Sequence, residues 1–112
     1  MTPRPFLPLL CLIPLAGSIP AAAQSVDSGA AEALMKKSGC FKCHSVTAKK
    51  EAPAYREIAA KYKGKADAEQ ALVKHLTTNP KVKVEGKEEE HDNLKTKNEA
   101  DIRNVVRWIL SR

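Results

Sequence analysis

Ser38-Gly39-Cys40-Phe41-Lys42-Cys43-His44 is the stretch on which the reading of this chain turns. It contains the pattern C-x-x-C-H, and three chemistries use such a grouping. A C-x-x-C pair can be a thiol redox centre, as in thioredoxin-like proteins. No β-α-β pattern surrounds this one, and a histidine follows directly. A structural zinc site takes four ligands. Cys40, Cys43, His44 and His91 supply four in principle, but two sulfurs and an adjacent histidine give awkward geometry.

The third chemistry fits best. C-x-x-C-H is the attachment signature of a c-type haem. Each thiol adds to one haem vinyl group, and the histidine ligates the iron from one side. Cys40 and Cys43 are therefore the expected covalent tethers for one haem c, and His44 the expected proximal iron ligand.

Working outward from the motif, the residues around it read as helices. Ser28 to Lys37 carries Ala30, Ala31, Ala33, Leu34 and Met35, all good helix formers. Lys36 and Lys37 suit the negative end of that helix, and Gly39 can adopt the left-handed cap. Pro53 marks a helix start, with Tyr55, Ile58, Ala59 and Tyr62 at helical spacing before Gly64. A third helix runs from Ala66 or Asp67 to Thr77, with Leu72, Val73 and Leu76 toward the core, and Asn79-Pro80 ends it. The last helix follows an Asn98 N-cap, and Ile102, Val105, Val106, Ile109 and Leu110 form one apolar stripe. Between Asn79 and Asn98 no strong period appears, although Val82 and Val84 alternate with Lys81 and Lys83 as in a short strand. Long connections in small domains are usually disordered or functional, and this one contains His91.

The first 23 residues read as a cleaved secretory signal: Arg4, an apolar run from Leu7 to Leu15, and Ala21-Ala22-Ala23 before Gln24. The run is too short to span a bilayer. Cys11 follows Pro8, Leu9 and Leu10 rather than the small residues a lipoprotein signal needs, so no stable membrane anchor is expected. Residues 24–112 are then one domain, near the lower size limit for an unaided core. Removing Arg4 leaves 18 Lys and Arg against 13 Asp and Glu, a net charge of +5. The lysines are scattered among acids and no nucleic-acid motif appears, so nucleic acid is not an expected partner. A basic surface can instead steer acidic redox partners, and Lys42, Lys49 and Lys50 lie in and just after the haem motif.

Together these residues resemble the class I bacterial cytochromes c. The resemblance covers nearly all of residues 24–112. It includes the motif helix, Ala52-Pro53-Ala54-Tyr55 through Gly64, and Glu99-Ala100-Asp101-Ile102 through Ser111. It implies an all-α fold of about four helices wrapped around one covalent haem, with the first and last helices crossing. It also implies that a backbone carbonyl near Pro53 orients His44, and that Trp108 packs near the haem.

The chain departs from that family on the other side of the iron. There the axial methionine stands about eight residues before a run matching Glu99-Ala100-Asp101, and eight residues before Glu99 is His91. No methionine follows Met35, which is expected to be a core residue. His75, beside Leu72 and Leu76, reads as a half-exposed helix histidine. His91 is therefore the expected distal iron ligand, with lysine ligation or an open site as the alternatives. Imidazole in place of thioether lowers the reduction potential. The expectation is a periplasmic, low-potential bis-histidine electron carrier, or the cytochrome subunit of a periplasmic redox enzyme, not itself an enzyme. The alternative is a sensor or binder of nitric oxide or carbon monoxide in which His91 is displaced.

Overall fold

The computed structural model describes residues 1–3, 17 and 25–112. The stretch read above as an export signal, Cys11 included, lies almost wholly outside the described residues. Four helices, α1 (Ser28–Lys37), α2 (Tyr55–Tyr62), α3 (Ala68–Thr77) and α4 (Glu99–Leu110), surround one core, with a hairpin of β1 (Lys81–Val84) and β2 (Lys87–Glu90) between α3 and α4. Among the described residues no helix is long and apolar enough to cross a membrane.

The crossing of α1 and α4 is the frame. Ala31 and Met35 of α1 are buried with Val105 and Val106 of α4 in one apolar cluster. Burying each such valine contributes roughly 1.5–3 kcal/mol. The crossing is also keyed by polar bonds. The Asp27 N–H donates to Asn104 Oδ1 at 2.9 Å, and Asn104 Nδ2 donates to the Asp27 carbonyl at 2.9 Å. Asp27 caps α1 by accepting from the Ala30 N–H at 3.0 Å. Asn98 does the same for α4 at the Asp101 N–H, 3.1 Å, and such a cap contributes about 1 kcal/mol. At the other end of α1, Gly39 takes φ +76°, a left-handed turn that a side chain would strain. The preceding Ser38 is buried, and its Oγ accepts from the Lys95 N–H at 2.9 Å, tying α1 to the segment before α4.

Helix α2 begins two residues after Pro53, and the Glu57 carboxylate accepts the Ala54 N–H at 3.3 Å. Helix α3 starts at Ala68, slightly later than the composition suggests, because Asp67 stays outside helical geometry at φ −95°, ψ 7°. It packs on α4 through Leu72 and Leu76, with Glu69 bridging to Arg107 at 3.3 Å and Arg103 at 3.7 Å.

The segment between Asn79 and Asn98, for which one short strand at Lys81–Val84 is expected, carries a β-hairpin. Glu85 (φ +50°) and Gly86 (φ +80°) form its two-residue turn. Positive φ at both central residues matches the twist of the strands they join. Lys81 pairs with Glu90, Val82 with Glu89, Lys83 with Glu88 and Val84 with Lys87. The acidic run has little strand preference of its own; pairing with the Val-Lys strand supplies its hydrogen bonds. The hairpin base is locked to the end of α3. Asn79, at φ +45°, donates its N–H to Asn93 Oδ1 at 2.8 Å. Asn93 Nδ2 donates back to Asn79 Oδ1 at 2.9 Å and to the Thr77 carbonyl at 3.2 Å. The Leu94 N–H reaches the Leu76 carbonyl at 3.0 Å.

Candidate functional site

One cavity of about 600 Å³ opens between α2, α3, the hairpin and the cysteine motif. That volume falls in the range of sites for large organic ligands. Its floor is the motif itself. Cys40–Lys42 form a single 3-10 turn after Gly39, with the Cys43 and His44 N–H groups both bonded to the Cys40 carbonyl. This turn brings both sulfurs and the His44 ring to the cavity wall. The two cysteines are free thiols. Burial pushes the Cys40 thiol above its usual range. Cys43 is raised as well, by desolvation and then by the Glu51 carboxylate, to which it donates at 3.5 Å. Reactive thiol pairs carry the opposite shift, toward thiolate. Among the described residues no three His, Cys, Asp or Glu side chains converge on a metal ion position.

His44 is held on two sides. Its Nδ1 lies 2.7 Å from the Pro53 carbonyl oxygen, which fixes the ring and leaves Nε2 for a metal. Tyr55 stacks on the ring at 4.9 Å with a 25° tilt. Burial lowers the His44 pKa from its usual value, against the pull of the Pro53 carbonyl, and the nearness of His91 adds to the lowering. The lowering favours the neutral imidazole, the form that ligates a metal.

His91 lies across the cavity, its ring centre 6.2 Å from that of His44. Its backbone is fixed by the hairpin base: its N–H donates to the Pro80 carbonyl at 2.8 Å, and its carbonyl accepts from Asn79 Nδ2 at 3.1 Å. His75 also reaches the cavity wall from α3, its ring centre 4.4 Å from that of His91.

Trp108 is 1% exposed and does not line the cavity. It packs edge-on against Tyr55 at 5.5 Å and Phe41 at 6.3 Å, so it supports the wall from behind. Met35 is fully buried in the helical core and forms part of the wall. Lys42, Lys49 and Lys50 are exposed, and Lys50 Nζ donates to the Phe41 carbonyl at 3.1 Å.

Sequence reasoning did not single out Tyr55, Val82, Val84 or His75 as wall residues. The Lys81–Val84 alternation was the available signal for the valines, since one face of a two-stranded hairpin must be apolar if it covers something. Nothing local marks His75.

A proline-anchored imidazole, two thiols beside it and a ligand-sized cavity define a site for a covalently attached haem. The cytochrome c family profile matches residues 28–112, and the chain belongs to the class I cytochromes c, electron-transfer proteins that each carry one haem c.

Specific relatives bear this out. The chain is 35% identical over 81 residues to cytochrome c-551 of Pseudomonas aeruginosa, covering 72% of this chain and 75% of that protein. It is 40% identical over 78 residues to cytochrome c2 of Rubrivivax gelatinosus, covering 69% and 91%. Its match to cytochrome c-551 of Allochromatium vinosum is 55% over 40 residues and spans only 43% of that protein. Among solved structures, the class 1 cytochrome MtoD of Sideroxydans lithotrophicus ES-1 superposes with a TM-score of 0.75 at 47% identity, over 78% of this chain and 97% of MtoD.

The Asn79–Asn93 clamp yields a first expected outcome. Asn93→Ala removes two donated bonds and one accepted bond at the hairpin base. Chemical or thermal unfolding should show a loss of about 1–3 kcal/mol. An unchanged stability would show that the clamp does not hold the hairpin base.

Proposed function

We propose that the chain is an exported, periplasmic electron carrier, or the small cytochrome subunit of a periplasmic redox enzyme, with its haem iron bound between His44 and His91. The observation that carries this reading is the facing pair of imidazoles. Two metal–imidazole bonds of about 2 Å each, plus roughly 1 Å from each donor nitrogen to its ring centre, place two axial rings about 6 Å apart. The rings here stand 6.2 Å apart, beside Cys40 and Cys43. Bound there, the haem supplies reversible one-electron exchange at its iron.

The chain's own residues set the terms of that exchange. Cys40 and Cys43 fix the group's position. Pro53 orients His44, and the hairpin base presents His91. Two strong protein ligands leave no coordination position for a substrate. Val82 and Val84 face the cavity from the hairpin and exclude water from that side. Imidazole at the distal position favours a potential below that of methionine-ligated relatives. The exposed Lys42, Lys49 and Lys50 surround the motif and suit an acidic docking partner. The amino-terminal pattern at residues 1–23 supports export through a cleaved signal.

Optical and electron paramagnetic resonance spectra of the oxidised protein test the reading together. A low-spin iron with two imidazole ligands is expected, and the reduced protein should not take up carbon monoxide rapidly at neutral pH. A thioether signature, or a high-spin iron with rapid carbon monoxide uptake, would overturn it and favour a ligand-binding protein.

A further inference from the structure

His91 carries a buried polar atom with nothing to bond. Its Nδ1 is shielded and has no hydrogen-bond partner among the described residues. The cavity-facing nitrogen is therefore Nε2, and a metal bound there puts a proton on Nδ1 with no acceptor. Leaving a buried donor unmatched costs about 1–3 kcal/mol, and metal-ligating histidines nearly always donate their second ring N–H to a fixed acceptor. On the proximal side Pro53 meets this need for His44. On the distal side the ring lying against His91 is His75, edge to face at 4.4 Å and 60°.

We propose that His75 is the positioning residue for His91: a ring nitrogen of His75 accepts the Nδ1–H of His91 when His91 holds the iron. This rests on the reading of His91 as the distal ligand. The χ2 torsion of histidine is soft and roughly two-fold, so the two rings can turn about their Cβ–Cγ bonds and part slightly to bring a His75 nitrogen toward His91 Nδ1. A neutral imidazole offers one acceptor nitrogen, whereas a protonated one offers none. Leu72 and Leu76, buried on either side, hold the α3 face in place. The bond makes His91 a stronger donor to the iron and so favours the oxidised state. It also resists displacement of His91 by outside ligands.

The test compares His75→Leu and His75→Gln in the haem-loaded protein. His75→Leu keeps an apolar shape suited to its Leu72 and Leu76 neighbours but removes the acceptor; Gln restores an acceptor oxygen. Both variants should keep the low-spin spectrum with two imidazole ligands. His75→Leu should raise the midpoint potential and speed displacement of His91 by carbon monoxide or added imidazole roughly tenfold. His75→Gln should return both toward the parent values. A midpoint and displacement rate unchanged in His75→Leu, or shifted equally in both variants, would overturn the positioning role while leaving His91 on the iron. Loss of the low-spin spectrum in His75→Leu together with its retention in His91→Ala would instead make His75 the ligand, and would overturn the reading of His91 itself.

Discussion

His91→Met is expected to raise the midpoint potential by on the order of 100 mV, because a thioether stabilises the reduced iron and imidazole the oxidised iron. The position favours a clean exchange. The hairpin base fixes the backbone of residue 91 through Pro80 and Asn79, so a new side chain starts from the same place. Unbranched methionine has the flexibility to reach the same centre. Glu88, Glu89, Glu90 and Asp92 remain in the variant and hold the potential down, but they are exposed and screened, so the ligand change dominates. An unchanged or lower midpoint would mean that residue 91 is not on the iron. His91→Ala gives the complementary result: the low-spin spectrum is lost and the reduced protein takes up carbon monoxide.

The double variant Cys40→Ala, Cys43→Ala should lose most of its helicity and its cooperative unfolding transition, as read by circular dichroism. The argument is one of size. Residues 24–112 form a small domain with a modest core, and a cavity of about 600 Å³ runs through its middle. Without the haem the apolar walls of that cavity meet water, and each large side chain left exposed there forfeits roughly 1.5–3 kcal/mol. A few such side chains together match the entire stability of such a domain, about 5–15 kcal/mol. Without tethers to retain the haem, the chain cannot hold the cavity open and still fold. Native helicity with a cooperative melt in the double variant would show that the helices stand without the group.

Much of this was legible in the residues. The bounds of α1 follow from an Ala-rich run that ends at Lys36, Lys37 and Gly39, and the start of α4 follows from its Asn98 cap and apolar stripe. The attachment motif is local chemistry, and the family resemblance drew attention to the position eight residues before Glu99, His91, as the expected distal ligand. The hairpin was only half visible: Val82 and Val84 alternate, but Lys87–Glu90 becomes a strand only through its partner. Trp108, which the resemblance puts near the haem, packs edge-on behind Tyr55, a contact between distant segments that a helix stripe alone does not record.

The sequence by itself determined the covalent chemistry, the helices and the absence of a downstream methionine, because each depends on residues close together in the chain or on residue identity alone. Only the tertiary structure decided what faces what. His44 and His91 meet across one cavity, and His75 lies against His91, because α3 and a locked hairpin base converge there. Those separations belong to packing between distant segments, and no local pattern encodes them.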